Sequence, residues 1–172
     1  MQATTDNQCI IRPMQIADVD IVSAIDNLGS IEPWDKKIFV SCLKVYNSYV
    51  ATINEPNNSE IVVGFAVIAL YPNINQAHIL NVGVDINLHH QGIGNKILDY
   101  LINLCTLELN IHKIFLEVCI HNQIAINLYK KCKFKEIGLR KNYYVTKNGK
   151  EDALILVFDL DLYVESDDNL NG

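Results

Sequence analysis

The sequence contains no apolar run approaching the roughly 20 residues that cross a bilayer. Its longest, residues 61–70, is ten residues long. The opening residues Met1-Gln2-Ala3-Thr4-Thr5-Asp6 lack the charged and apolar regions of a secretory leader. Cysteines are few, at positions 9, 42, 105, 119 and 132, and form neither a Cys-x-x-Cys pair nor a Cys/His zinc spacing. An odd, scattered set among apolar neighbours is expected to be reduced thiols filling small core sites. There is no internal repeat and no low-complexity linker. These absences lead to the expectation of a soluble cytoplasmic protein with no structural metal and no membrane partner.

What is present fits one domain. The 172 residues, 49% of them hydrophobic, suffice for a substantial core. The domain is expected over 1–162, followed by an acidic and disordered tail over 163–172. Half of the net charge of −6 comes from Glu165, Asp167 and Asp168 in that tail. The negative balance argues against general nucleic-acid binding and suits a basic partner.

Periodicity orders the elements. A short strand is expected over 9–13, a helix over 17–28 closed by Gly29, and a second helix after Pro33-Trp34 with Asp35 as N-cap. Strands follow over 48–53, 61–70 and 77–84, then an amphipathic helix in which Ile93, Ile97, Leu98, Leu101, Ile102, Leu104 and Cys105 share a face. A strand over 113–120, a helix over 123–132 and a hairpin of two strands turning at Lys147-Asn148-Gly149 complete the chain. The order β-α-α-β-β-β-α-β-α-β-β is that of a mixed α/β domain, not a regularly alternating one.

Chemistry concentrates in three places. His89-His90-Gln91-Gly92-Ile93-Gly94-Asn95 lies between a strand and a helix. Glycines there let the backbone turn close to a ligand, and the unpaired N–H groups of the helix start favour a phosphate; the alternative is a tight turn and nothing more. Glu117 is a carboxylate in the apolar strand Phe115-Leu116-Glu117-Val118-Cys119, sharing a face with Phe115 and Cys119. It is either a solvated position or a base whose pKa partial burial raises. Tyr129 lies two helical turns after Asn122 on the same side of its helix, as a packing residue or a donor. Lys130, Lys131, Lys133 and Lys135 read as a solvated face. Nothing orients Cys119 and His121 as nucleophile and base, and His89-His90 lack a further metal ligand at useful spacing.

Three segments resemble the GNAT family of acetyl-CoA-dependent N-acetyltransferases, closest to its bacterial members that acetylate a ribosomal-protein N-terminal alanine. They are Ile31-Glu32-Pro33-Trp34; Asn81-Val82-Gly83-Val84-Asp85 running into Gln91-Gly92-Ile93-Gly94; and a long third one. The third comprises Leu116-Glu117-Val118, Asn122, Ala125, Leu128-Tyr129 and Phe134, then Arg140-Lys141-Asn142-Tyr143-Tyr144 and Gly149-Lys150-Glu151-Asp152-Ala153. The resemblance implies a mostly antiparallel sheet of about seven strands with about four helices, splayed at an acetyl-CoA slot. It implies that backbone groups of Val82, Gly83 and Val84 pair with the pantetheine arm, and that amides of His90, Gln91, Gly92, Ile93, Gly94 and Asn95 cradle the pyrophosphate. Asn122 would contact the donor near its acetyl end, Glu117 would be the general base and Tyr129 the general acid. Trp34, Tyr143 and Tyr144 would line the acceptor groove.

The implied reaction is direct attack in a ternary complex. An α-amine with a pKa near 7.7–8.0 must lose a proton to attack a thioester. A carboxylate can take it, amides near Val84 can stabilise the carbonyl oxygen, and a tyrosine hydroxyl can donate to the departing thiolate. The implied acceptor is the N-terminal alanine of a basic small-subunit ribosomal protein, with no nucleic acid or metal and the enzyme a monomer or weak homo-oligomer. Another amine as acceptor, a non-catalytic acyl-CoA-binding module and a nucleoside-triphosphate site are the alternatives, the last lacking Lys-Ser/Thr after the glycines. Three positions depart from the family pattern. His89 stands where Gln or Arg is usual, and His89 or His90 would help hold phosphate once charged below about pH 6.5. Cys119 replaces an Arg near the base, and Lys133 replaces a glycine at the helix exit.

Overall fold

The computed structural model describes residues 9–57 and 59–162, so the acidic tail expected at 163–172 lies outside the described residues. Seven strands and four helices follow one another in the order the periodicity predicts. The strands are β1 (Ile10–Pro13), β2 (Asn47–Asn54), β3 (Glu60–Tyr71), β4 (Gln76–Val84), β5 (Lys113–Cys119), β6 (Lys135–Thr146) and β7 (Gly149–Asp159). The helices are α1 (Val19–Gly29), α2 (Lys36–Val45), α3 (Ile93–Asn103) and α4 (Gln123–Lys131). The sheet runs β1-β2-β3-β4-β5-β7-β6. Pairing is antiparallel for β1–β2, β5–β7 and β6–β7 and parallel for β4–β5, which makes the sheet mixed. No helix among the described residues is long and apolar enough to cross a membrane.

Contacts cluster into two units, residues 9–67 with 82–97 and residues 68–81 with 98–162. In the first, Phe39 packs edge-on against Phe65 of β3 at 5.4 Å between ring centroids, with both side chains fully buried. Asp35 caps α2 as expected, its side chain accepting from Lys37 N. The helix expected over 17–28 is divided into a 3-10 turn at Ile16–Asp18 and α1. Asp18 causes this: its carboxylate accepts from Arg12 at 2.8 and 3.0 Å and from Gln15 N at 2.8 Å, which tightens the turn.

In the second unit β5 is central, with seven register pairs to β7. Ile114, Leu116 and Val118 are buried along it by the alternation of a strand. The ladder between β4 and β5 holds three pairs, Gln76↔Lys113 to His78↔Phe115, while β5 continues to Cys119. Among the described residues the register pairs between β4 and β5 end at His78. The helix expected to reach residue 105 ends at Asn103 and widens into a π turn over Leu104–Glu108. That turn keeps Cys105 fully buried and lets its carbonyl accept from Ile111 N at 2.7 Å.

Candidate active site

Glu117 lies on the face of β5 that also carries Phe115, and its side chain keeps only 7% exposure. Burial by itself raises the proton affinity of a carboxylate. Two neighbours oppose that. His78 on β4, in register with Phe115, donates from Nε2 to Glu117 Oε2 at 2.5 Å. Arg140 on β6 holds Nη1 3.4 Å from Oε1. The His78 hydrogen bond, with the charges of His78 and Arg140, outweighs desolvation and holds the carboxyl below its ordinary range. The expectation of a raised value at Glu117 is therefore overturned. It considered burial alone, whereas the deciding partner sits on a strand far away in sequence.

Tyr129 is placed by the way α4 begins and ends. Asn122 caps the helix, its side-chain oxygen accepting from Ala125 N at 3.1 Å. At the other end Phe134 N donates to Tyr129 O and Lys133 N to Lys130 O, both at 3.0 Å, with Lys133 left-handed at φ 69°. This is a Schellman ending, and its apolar contact is Phe134 against the Tyr129 ring at 5.8 Å. Tyr129 is buried, and its hydroxyl forms no hydrogen bond to a described residue. Burial pushes its pKa up, so the group stays protonated and remains a donor.

Tyr143 lies within a bulge of β6 between Arg140 and Tyr144, and Tyr144 resumes the pairing with β7. Asn142, left-handed at φ 55°, anchors the bulge by donating its N–H to Asp152 at 2.7 Å. That bond connects the Asn-Tyr-Tyr and Gly-x-Glu-Asp-Ala runs. The two rings stand edge to face at 4.9 Å, and Arg140 lies 5.5 Å over the Tyr143 ring. Tyr144 donates its hydroxyl to the Glu117 carbonyl at 3.2 Å. Glu117, Arg140, Tyr143 and Tyr144 are thus one cluster with His78. Sequence reasoning missed His78 and Arg140. The available signal was a histidine inside an apolar strand, and it becomes meaningful only through parallel pairing.

The glycine loop belongs to the first unit. His89 donates from Nε2 to the Val84 carbonyl at 3.0 Å, which ties the loop to the end of β4. His90 and Gly92 are left-handed at φ 63° and 80°, and α3 begins at Ile93. The N–H groups of Gln91, Gly92, Ile93 and Gly94 donate to no described residue. Successive free amides at a helix start make a concavity for an anion. A Cβ on Gly92 would meet nothing within 4 Å, so the space beside it is open. Gly83 needs glycine for a different reason, since a Cβ there would lie 2.6 Å from the Phe65 ring. Trp34 lies in the same unit, its N–H bound to Asp26 at 2.7 Å and its ring 5.4 Å from Phe39. His121 pairs with Glu151 at 3.1 Å. Among the described residues no group of three or more His, Cys, Asp or Glu could hold a metal.

Comparison with known proteins follows the same line. The profile described as acetyltransferase (GNAT) family matches residues 26–134. The ribosomal protein bS18-alanine N-acetyltransferase of Escherichia coli strain K12 is 28% identical over 153 residues, covering 88% of this chain and 98% of its own. An N-alpha-acetyltransferase of Sulfurisphaera tokodaii is 29% identical over 157 residues, covering 87% and 92%. The crystal structure of the Escherichia coli ribosomal-protein-S18-alanine N-acetyltransferase superposes with a TM-score of 0.76 at 27% identity, covering 89% of this chain and 94% of that one.

Proposed function

The chain belongs to the acetyltransferase (GNAT) family, and from that membership we propose that it acetylates the N-terminal α-amine of a protein, taking the acetyl group from acetyl-CoA. The favoured acceptor is an N-terminal alanine of a ribosomal protein, the substrate class in the name of the Escherichia coli relative. The observation that carries the reading is Glu117, buried and held ionised by its partners, in the same unit as Tyr129, a neutral donor whose hydroxyl has no acceptor among the described residues.

Acetyl-CoA supplies an activated acyl group as a thioester. In the first unit, the open amides of 91–94 fit its pyrophosphate, and the positive end of α3 adds to their pull. In the second unit Glu117 attracts the protonated amine and takes its proton. His78 and Arg140 act as positioning residues, fixing the carboxylate oxygens through hydrogen bond and charge. Tyr129 donates to the sulfur as it departs. Tyr143 and Tyr144 flank the base on β6 and offer aromatic walls to the first residues of a peptide. No residue need be acetylated along the way.

Mass spectrometry of peptides incubated with enzyme and acetyl-CoA tests this. A peptide with free N-terminal Ala should gain one acetyl group at its α-amine, while an N-blocked peptide containing Lys should gain none. Acetylation of the blocked peptide alone would move the reaction to a side-chain amine.

A further inference from the structure

The net charge of −6 conceals a segregation of sign. From Lys130 to Lys150 the chain holds eight of its fourteen lysines and arginines against one acidic residue, Glu136. All eight are exposed. They run from the last turn of α4 through Lys133 and along β6 to the hairpin, where β7 opens with Lys150 nearby. β6 is last in the sheet order, and its twelve residues extend for about 35 Å. Of the neighbouring carboxylates, Glu151 pairs with His121 and Asp159 with Lys113, while Asp152 accepts from Asn142 N on β6 itself and Glu117 faces Arg140. Lys130, Lys131, Lys141, Lys147 and Lys150 form no salt bridge among the described residues.

Charge on an edge strand prevents pairing with other edges. That purpose is served by either sign, and mixed signs would avoid self-repulsion. A one-sign strip on an otherwise acidic chain calls for an extended polyanion. We propose that the β6 edge docks the phosphate backbone of RNA. A nucleic-acid strand presents one charge per roughly 3.4 Å, so it can meet the strip along its whole length without a pocket. The choice of RNA rests on the ribosomal-protein acceptor proposed above, which works among RNA. It revises the expectation drawn from net charge, because distribution decides polyanion binding.

The test is fluorescence anisotropy of a labelled oligouridine titrated with the full chain, from about 50 to 200 mM salt. A quadruple variant, Lys130→Gln, Lys131→Gln, Lys147→Gln and Lys150→Gln, is compared after its melting temperature is matched to the parent. The parent should bind at low salt and weaken steeply as salt rises. The variant should bind at least tenfold more weakly, with a log–log salt slope shallower by about 3, near 0.7 per lost contact. No binding at low salt, or equal binding by both, overturns the proposal. Displacement by polyglutamate at equal charge concentration overturns it in favour of an acidic polypeptide. The peptide acetylation assay stands apart: its failure alone refutes the acceptor, and loss of RNA binding alone refutes the strip.

Discussion

At the scale of single residues, Glu117 is defined by what surrounds it. A carboxyl below its ordinary range stays charged throughout the neutral region. The pH dependence of kcat/KM should therefore follow the acceptor amine, rising through about 7.7–8.0, with no acid limb from Glu117 above about pH 5. His78→Ala removes the largest cause of that depression and leaves burial acting upward. The variant should show a new acid limb at higher pH in a pH–rate profile. Superimposable profiles would show that His78 does not hold the base. Glu117→Gln and Tyr129→Phe should each lower kcat by about 10²-fold, while calorimetry finds donor binding kept. Glu117 and Tyr129 could be singled out because each is a polar group at a fixed place in an apolar pattern. That pattern left a solvated position and core packing open, and only the family resemblance offered them as base and acid. His78 and Arg140 were not legible, because strand pairing and a bulge bring them to Glu117 from 39 residues before and 23 after.

At the scale of elements, helix ends do much of the positioning. Lys133 carries the left-handed residue of a Schellman ending, where an L side chain is disfavoured. Lys133→Gly should stabilise the protein by about 0.5–1 kcal/mol, seen as a rise of about 1–4 °C in thermal melting. Gly92 is the converse case at φ 80°. Gly92→Ala meets no clash and still strains the loop, by about 1–2 kcal/mol. Donor affinity measured by calorimetry should weaken while the rest of the fold is kept. The helices and β5 were legible through an apolar face of the right period, and β2 and β3 through continuous apolar runs. Strand β6, which buries no residue, was legible through the hairpin turn that joins it to β7. Periodicity could not place the π turn after α3 or the 3-10 turn before α1. The first depends on burying Cys105 and the second on Asp18 reaching Arg12, and neither leaves a periodic trace.

At the scale of the whole molecule, the carboxyls of Asp18, Glu60 and Glu117 all lie below their ordinary range, each chiefly through a hydrogen bond to a basic side chain. A depressed carboxyl adds stability above its unfolded pKa and loses it as pH falls through the folded value. Melting temperature should thus be insensitive to these groups above about pH 5 and fall progressively below about pH 4. Calorimetry from pH 3 to 7 reads this directly, and Arg12→Met should remove the Asp18 and Glu60 share. The two units also have a consequence for synthesis. Each is made of two stretches of chain, so no single cut separates them intact. A chain emerging from its N-terminus cannot complete the first unit until residue 97 has been added. A fragment starting at residue 98 would hold Glu117, Tyr129 and both tyrosines of β6, yet lack the strand that carries His78, so its carboxylate would lose the neighbour that keeps it charged.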